Sequence, residues 1–95
     1  MGQLSSEFFH SKKLPLSDFK EAFISYFPDG EIETVIENVP GHSNSRYINV
    51  ITFFNEKEGR ELAEEKLRQW WIRYLELRDF APKFIERTTY PRGDE

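Results

Sequence analysis

Breaks built from proline, glycine and small polar residues recur along this chain, and they limit what can lie between them. Pro15 interrupts residues 13–16, Pro28-Asp29-Gly30 is turn chemistry, residues 40–45 (PGHSNS) read as a polar loop, and Ala81-Pro82 closes the last long apolar stretch. Proline removes a backbone donor and crowds the preceding helical turn, and glycine is unfavourable inside regular elements, so helices and strands tend to end at such points. The shorter segments between breaks can each hold one element, residues 46–80 can hold two, and the apolar period says which.

Residues 7–12 (EFFHSK) alternate like a short strand, although adjacent Phe8 and Phe9 leave the facing open. Leu16, Phe19, Phe23 and Tyr26 or Phe27 recur at spacings of three and four, the stripe of an amphipathic helix. Ser17 is its expected N-cap, and Asp18 falls in the first turn, where a carboxylate complements the helix dipole. Residues 31–39 are rich in Ile, Thr and Val, and residues 46–54 (RYINVITFF) carry the strongest strand signal. The loop between them is too short for a crossover helix, so the two are expected to pair antiparallel. Asn55 and Glu58 have the spacing of a capping box. Ala63, Leu67, Trp70, Tyr74 and Leu77 then mark a helix over about residues 56–79, with Gly59 weakening its first turn. Residues 83–90 alternate like a final strand.

The resulting order is β-α-β-β-α-β. It predicts an α+β fold, a four-stranded antiparallel sheet with two helices on one face, the ferredoxin-like plait. The 95 residues fit a single domain (1–95), folded over about 6–90, with 1–5 and 91–95 as flexible ends. Nine Phe, four Tyr and two Trp can build its core, because each buried ring removes roughly 150–250 Å² from water. The chain has no cysteine, which excludes disulfides, thiolate metal sites and cysteine nucleophiles and suits a cytoplasmic setting. No apolar run reaches the roughly 20 residues of a membrane-spanning helix. Met1-Gly2-Gln3-Leu4-Ser5-Ser6 fits the N-myristoylation pattern at Gly2, but Glu7 stands where a basic residue would help attachment, so no membrane partner is expected.

The stretch Leu16-Ser17-Asp18-Phe19-Lys20-Glu21-Ala22-Phe23, followed by Gly30-Glu31-Ile32-Glu33-Thr34-Val35, resembles the first helix and second strand of the RNA-recognition motif family. Arg46-Tyr47-Ile48-Asn49-Val50-Ile51-Thr52-Phe53 sits where that family keeps its main RNA-contacting motif. The resemblance implies that rings on the two middle strands, Tyr47 and either Phe8 or Phe9, stack bases on the open sheet face. Asn49 occupies the place of a second ring, and Arg46 that of the glycine before the first. The net charge of −4 and pI near 5.2 oppose a ligand dominated by phosphate.

No catalytic residue, metal or cofactor is expected. His10 and His42 lie on different elements, and no carboxylate near His42 in sequence orients it toward Ser43 or Ser45. Glu56, Glu58, Glu61, Glu64 and Glu65 alternate with Lys57, Arg60, Lys66 and Arg68 around a helix, the pattern of a solvated ion-pair face. Trp71 stands about 100° from Trp70 around that helix, and Ile72 and Leu75 extend the apolar arc. Such an arc must meet the first helix, the C-terminal segment or another molecule. The leading expectation is a non-catalytic interaction domain that binds a protein partner or a second copy as a homodimer. Its surface is the open sheet face (Tyr47, Asn49, Ile51, Phe53) or the long helix (Arg68, Trp71, Arg73, Leu75). The alternatives are single-stranded RNA binding and a small ferredoxin-like enzyme whose site no motif reveals.

Overall fold

The computed structural model describes residues 2–79. Within them β1 (Gly2–Ser11), α1 (Leu16–Tyr26), β2 (Glu31–Ile36), β3 (Ser45–Phe54) and α2 (Gly59–Leu77) follow in order. The three strands form one antiparallel sheet in the order β1-β3-β2, so the described residues are α+β with three strands and two helices. The fourth strand expected at 83–90 and the tail at 91–95 lie outside the described residues. Phe8 touches both helices, lying 6.0 Å from Phe19 of α1 and 4.7 Å from Trp71 of α2, ring to ring, so both helices cover the same sheet face.

Alternation along the two long strands divides inside from outside. Leu4, Ser6, Phe8 and His10 of β1 are buried under the helices, as are Arg46, Ile48, Val50 and Thr52 of β3. Phe8 is therefore a core residue and Phe9 belongs to the open face, which resolves the facing that the adjacent pair left undecided. Strand β1 starts at Gly2, not near residue 7. Residues 2–5 pair with β3 from Phe54 to Ile51, and Leu4 is fully buried, so this stretch is strand where a flexible end was expected.

Strand β2 shows why a sequence period can mislead. Ile32 and Val35 are three residues apart and would face opposite ways in a regular strand. The register jumps between Ile32, opposite Val50, and Thr34, opposite Asn49, leaving Glu33 as the extra residue of a bulge. Both Ile32 and Val35 thereby pack against the core, while Glu31, Thr34 and Ile36 fall opposite the outward residues of β3. The strand ends at Ile36, short of the expected 39.

Helix starts also differ from expectation. Helix α1 begins at Leu16 with Pro15 at the N-cap position and no side-chain cap, so Ser17 already lies inside the first turn. Its end is tightened by Gly30, where a β-carbon would stand 2.9 Å from the Phe23 ring. Asn55 does cap, accepting a 2.7 Å bond from the Glu58 amide. The turn it caps is separate from α2, because Gly59 has φ +78° and breaks the helical path before the helix proper begins.

The core is a continuous aromatic stack. Phe19 lies 5.5 Å from Trp70, 6.0 Å from Trp71 and 5.8 Å from Tyr74, and Trp71 and Tyr74 are stacked at 5.4 Å. Helix α2 has two neighbours, the sheet beneath and α1 beside it, and this absorbs its wide apolar arc. Trp70 meets Phe23 and Phe27, while Trp71 meets Phe8 and His10 of the sheet. Trp71 and Leu75, expected as partner-facing, have no exposed surface, whereas Leu77, expected on the buried stripe, is 67% exposed. Trp71→Ala should lower stability by about 3–5 kcal/mol, the usual cost of deleting a buried large ring. Leu77→Ala should change it by less than about 0.5 kcal/mol, the range of exposed surface sites. Urea denaturation of the full chain checks both, and similar midpoints would contradict this packing.

Candidate functional site

The face of the sheet turned away from the helices is the first candidate. Its residues follow from the register: Phe9 stands opposite Tyr47, Glu7 opposite Asn49 and Ser5 opposite Ile51. On the other side of β3, Ile36 lies opposite Tyr47, Thr34 opposite Asn49 and Glu31 opposite Ile51. The Phe9 and Tyr47 rings are 5.4 Å apart, and His42 from the β2–β3 loop rests edge-on against Phe9 at 5.1 Å. Asn49 donates a 2.9 Å hydrogen bond to the Thr34 hydroxyl, which holds the register just past the bulge. Ile36 and Phe53 remain 44% and 39% exposed. Tyr47, Asn49, Ile51 and Phe53 thus share one face, as their alternation requires. Phe9, Thr34 and Ile36 belong with them; the bulge hides the last two from any reading of period alone.

Among the described residues, charge on this face has one sign. Every Lys and Arg among the described residues lies on a helix, in a connection or, for Arg46, on the buried side. Glu7 and Glu31 are on the open side. Arg46 stands beside Tyr47 in sequence, yet alternation turns its guanidinium into the core.

That inward arginine organises a buried polar relay. Arg46 donates at 2.8 Å to His10 Nδ1, at 3.0 Å to the Leu14 carbonyl and at 3.1 Å to Glu37 Oε1. His10 is fully buried, and its Nε2 lies 2.9 Å from the Tyr74 hydroxyl. A guanidinium can only donate, so Nδ1 accepts and the proton of the neutral imidazole sits on Nε2, donating to Tyr74. Arg78 stacks on the Tyr74 ring at 3.8 Å and holds Asp18 with two bonds, one of them 2.7 Å long. Burial first, and the Arg46 charge second, hold the His10 pKa down at about 4. Burial likewise pushes the Tyr74 hydroxyl well up, while the hydrogen bond from Arg78 holds the Asp18 carboxyl below its usual range. Buried and kept neutral, His10 bridges Arg46 of β3 and Tyr74 of α2.

On α2, Arg68 and Arg73 are exposed while Trp71 and Leu75 are inside, so the four residues do not form one surface. Among the described residues no three His, Cys, Asp or Glu side chains gather as a metal site would need, and no helix is long and apolar enough to cross a membrane.

The relay makes stability depend on acid. The unfolded chain takes up a proton on His10 near the ordinary pKa of about 6.5, whereas the folded chain resists until about 4. Between these values the unfolded state binds more protons, so stability falls as pH falls, by up to about 1.4 kcal/mol per unit. Below about pH 4 this contribution levels off. His10→Gln should flatten the slope between pH 6.5 and 4 in urea denaturation series; an unchanged slope would place the titrating group elsewhere. Comparison with known protein families, curated proteins and solved structures returns no match for this chain.

Proposed function

We propose that this chain is a non-catalytic interaction domain that binds a protein partner through its open sheet face. One observation carries the reading: Phe9, Ile36, Tyr47, Ile51 and Phe53 all lie on the side of the sheet opposite both helices. Aromatic and aliphatic side chains gathered together are the composition of an interface centre. A strand-paired backbone beneath them costs little entropy to present, which favours rigid recognition.

The wider architecture we read as the ferredoxin-like plait. The order β1-β3-β2 supports this, because the plait places its fourth strand against the far edge of β1, and that edge has no strand partner among the described residues. The RNA-recognition resemblance finds support in the Phe9–Tyr47 ring pair, which suits two stacked bases. The charge argues for protein instead, since nucleic-acid affinity rests on cations that contact phosphates, and this face has carboxylates.

A photoreactive benzoylphenylalanine at position 51 tests the reading in cells, with position 24 on the exposed side of α1 as the control. Position 51 should yield a discrete protein adduct that position 24 does not. Tyr47→Ala should weaken binding of that adduct partner about tenfold or more, as a central aromatic anchor does, with little change in thermal midpoint. Equal labelling at both positions, or saturable binding of a ten-residue oligouridylate in place of protein, would overturn it.

A further inference from the structure

A second surface lies on the opposite side of the molecule, in the cleft between α1 and α2. It encloses about 520 Å³ and is lined by Tyr26, Trp70, Tyr74 and Leu77, with Arg73 and Arg78 at its polar side. That volume is in the range of small-molecule sites, which are mostly apolar with a few placed polar groups. Tyr26, 60% exposed, and Leu77, 67% exposed, are the two most exposed large hydrophobic residues described, and both border this one cleft. Their exposure has no part in the core or in the sheet face.

The two arginines differ in what they can offer. Arg78 is committed, with its guanidinium bonded to Asp18 and to the Tyr74 carbonyl while it stacks on the Tyr74 ring. Arg73, five residues earlier on α2 and exposed, has no hydrogen bond or ion pair among the described residues. Three rings and a leucine therefore face a cavity that holds one cation with no ion-pair partner among the described residues. From this geometry we infer that the α1–α2 cleft binds a small molecule with a flat aromatic body and a single carboxylate. The aromatic body lies among Tyr26, Trp70 and Leu77, where ring–ring contact adds to burial. The carboxylate accepts from Arg73, whose planar fork fits it with two parallel bonds. No bond is made or broken, so this is a binding site, independent of the sheet face.

The test uses the full chain, isotopically labelled, titrated with two probes of matched ring and opposite charge, 1-naphthaleneacetate and 1-naphthylmethylamine, and followed by amide chemical shifts. The carboxylate should give saturable shifts centred on Ala22, Ser25, Gln69 and Arg73, with the amine at least about tenfold weaker, as loss of a charge-assisted bond implies. Arg73→Glu should reverse that preference while leaving the spectrum of the fold intact. Leu77→Ser should weaken both probes alike. Equal affinity for the two probes, shifts centred on the sheet face, an unchanged preference in Arg73→Glu, or no saturation with either probe would each overturn the assignment.

Discussion

Burying the Arg46 guanidinium imposes a constraint that reaches every element of the fold. A charge taken out of water is tolerable only when its donors are satisfied, and here they reach four places: the imidazole of β1, two carbonyls around the β1–α1 connection and the carboxylate after β2. His10 passes the arrangement to Tyr74 of α2, and Arg78, stacked on Tyr74, passes it to Asp18 of α1. One relay therefore touches all three strands or their ends and both helices. Its geometry is exacting at Arg46, His10 and Tyr74, which are buried and so have few alternative partners.

The aromatic core works differently and complements it. Rings pack in several tilted or stacked arrangements at similar energy, so Phe8, Phe19, Trp70, Trp71 and Tyr74 supply burial without dictating one register. A chain with only those rings could slide α2 along the sheet. The directional bonds of Arg46 and His10 select one position, which is the role polar groups can play inside an apolar interior. The Trp71 indole N–H has no acceptor among the described residues, so not every polar group is satisfied, and the tryptophan's value there lies in its area.

Surface chemistry divides along the same layers. Among the described residues the cations lie on the helices, in connections or, for Arg46, on the buried side, and the open side holds an apolar row with carboxylates. The bulge at Glu33 is what allows β2 to contribute to both, sending Ile32 and Val35 inward and Thr34 and Ile36 outward. A cleft between α1 and α2, on the side away from the open sheet face, is lined by Arg73, which has no ion pair among the described residues.

Much of this was legible in the residues alone. The period of Phe19 and Phe23, the alternation through residues 46–54 and the Pro28-Asp29-Gly30 turn each act over a few residues, so element type, order and the shared face of Tyr47, Asn49, Ile51 and Phe53 follow from local geometry. Other features depended on what lay across the core. Trp71 and Leu75 read as an excess of apolar arc because nothing in the sequence shows that α2 has a second neighbour in α1. Ile36 and Val35 changed faces because a bulge depends on the partner strand, and Gly59 split the expected helix through its backbone angle. Arg46 and His10 lie 36 residues apart along the chain, and His10 and Tyr74 lie 64 apart. Local sequence carries the periods that make elements; partners so distant are chosen only when those elements pack, because only then does water leave and make each buried donor find its acceptor.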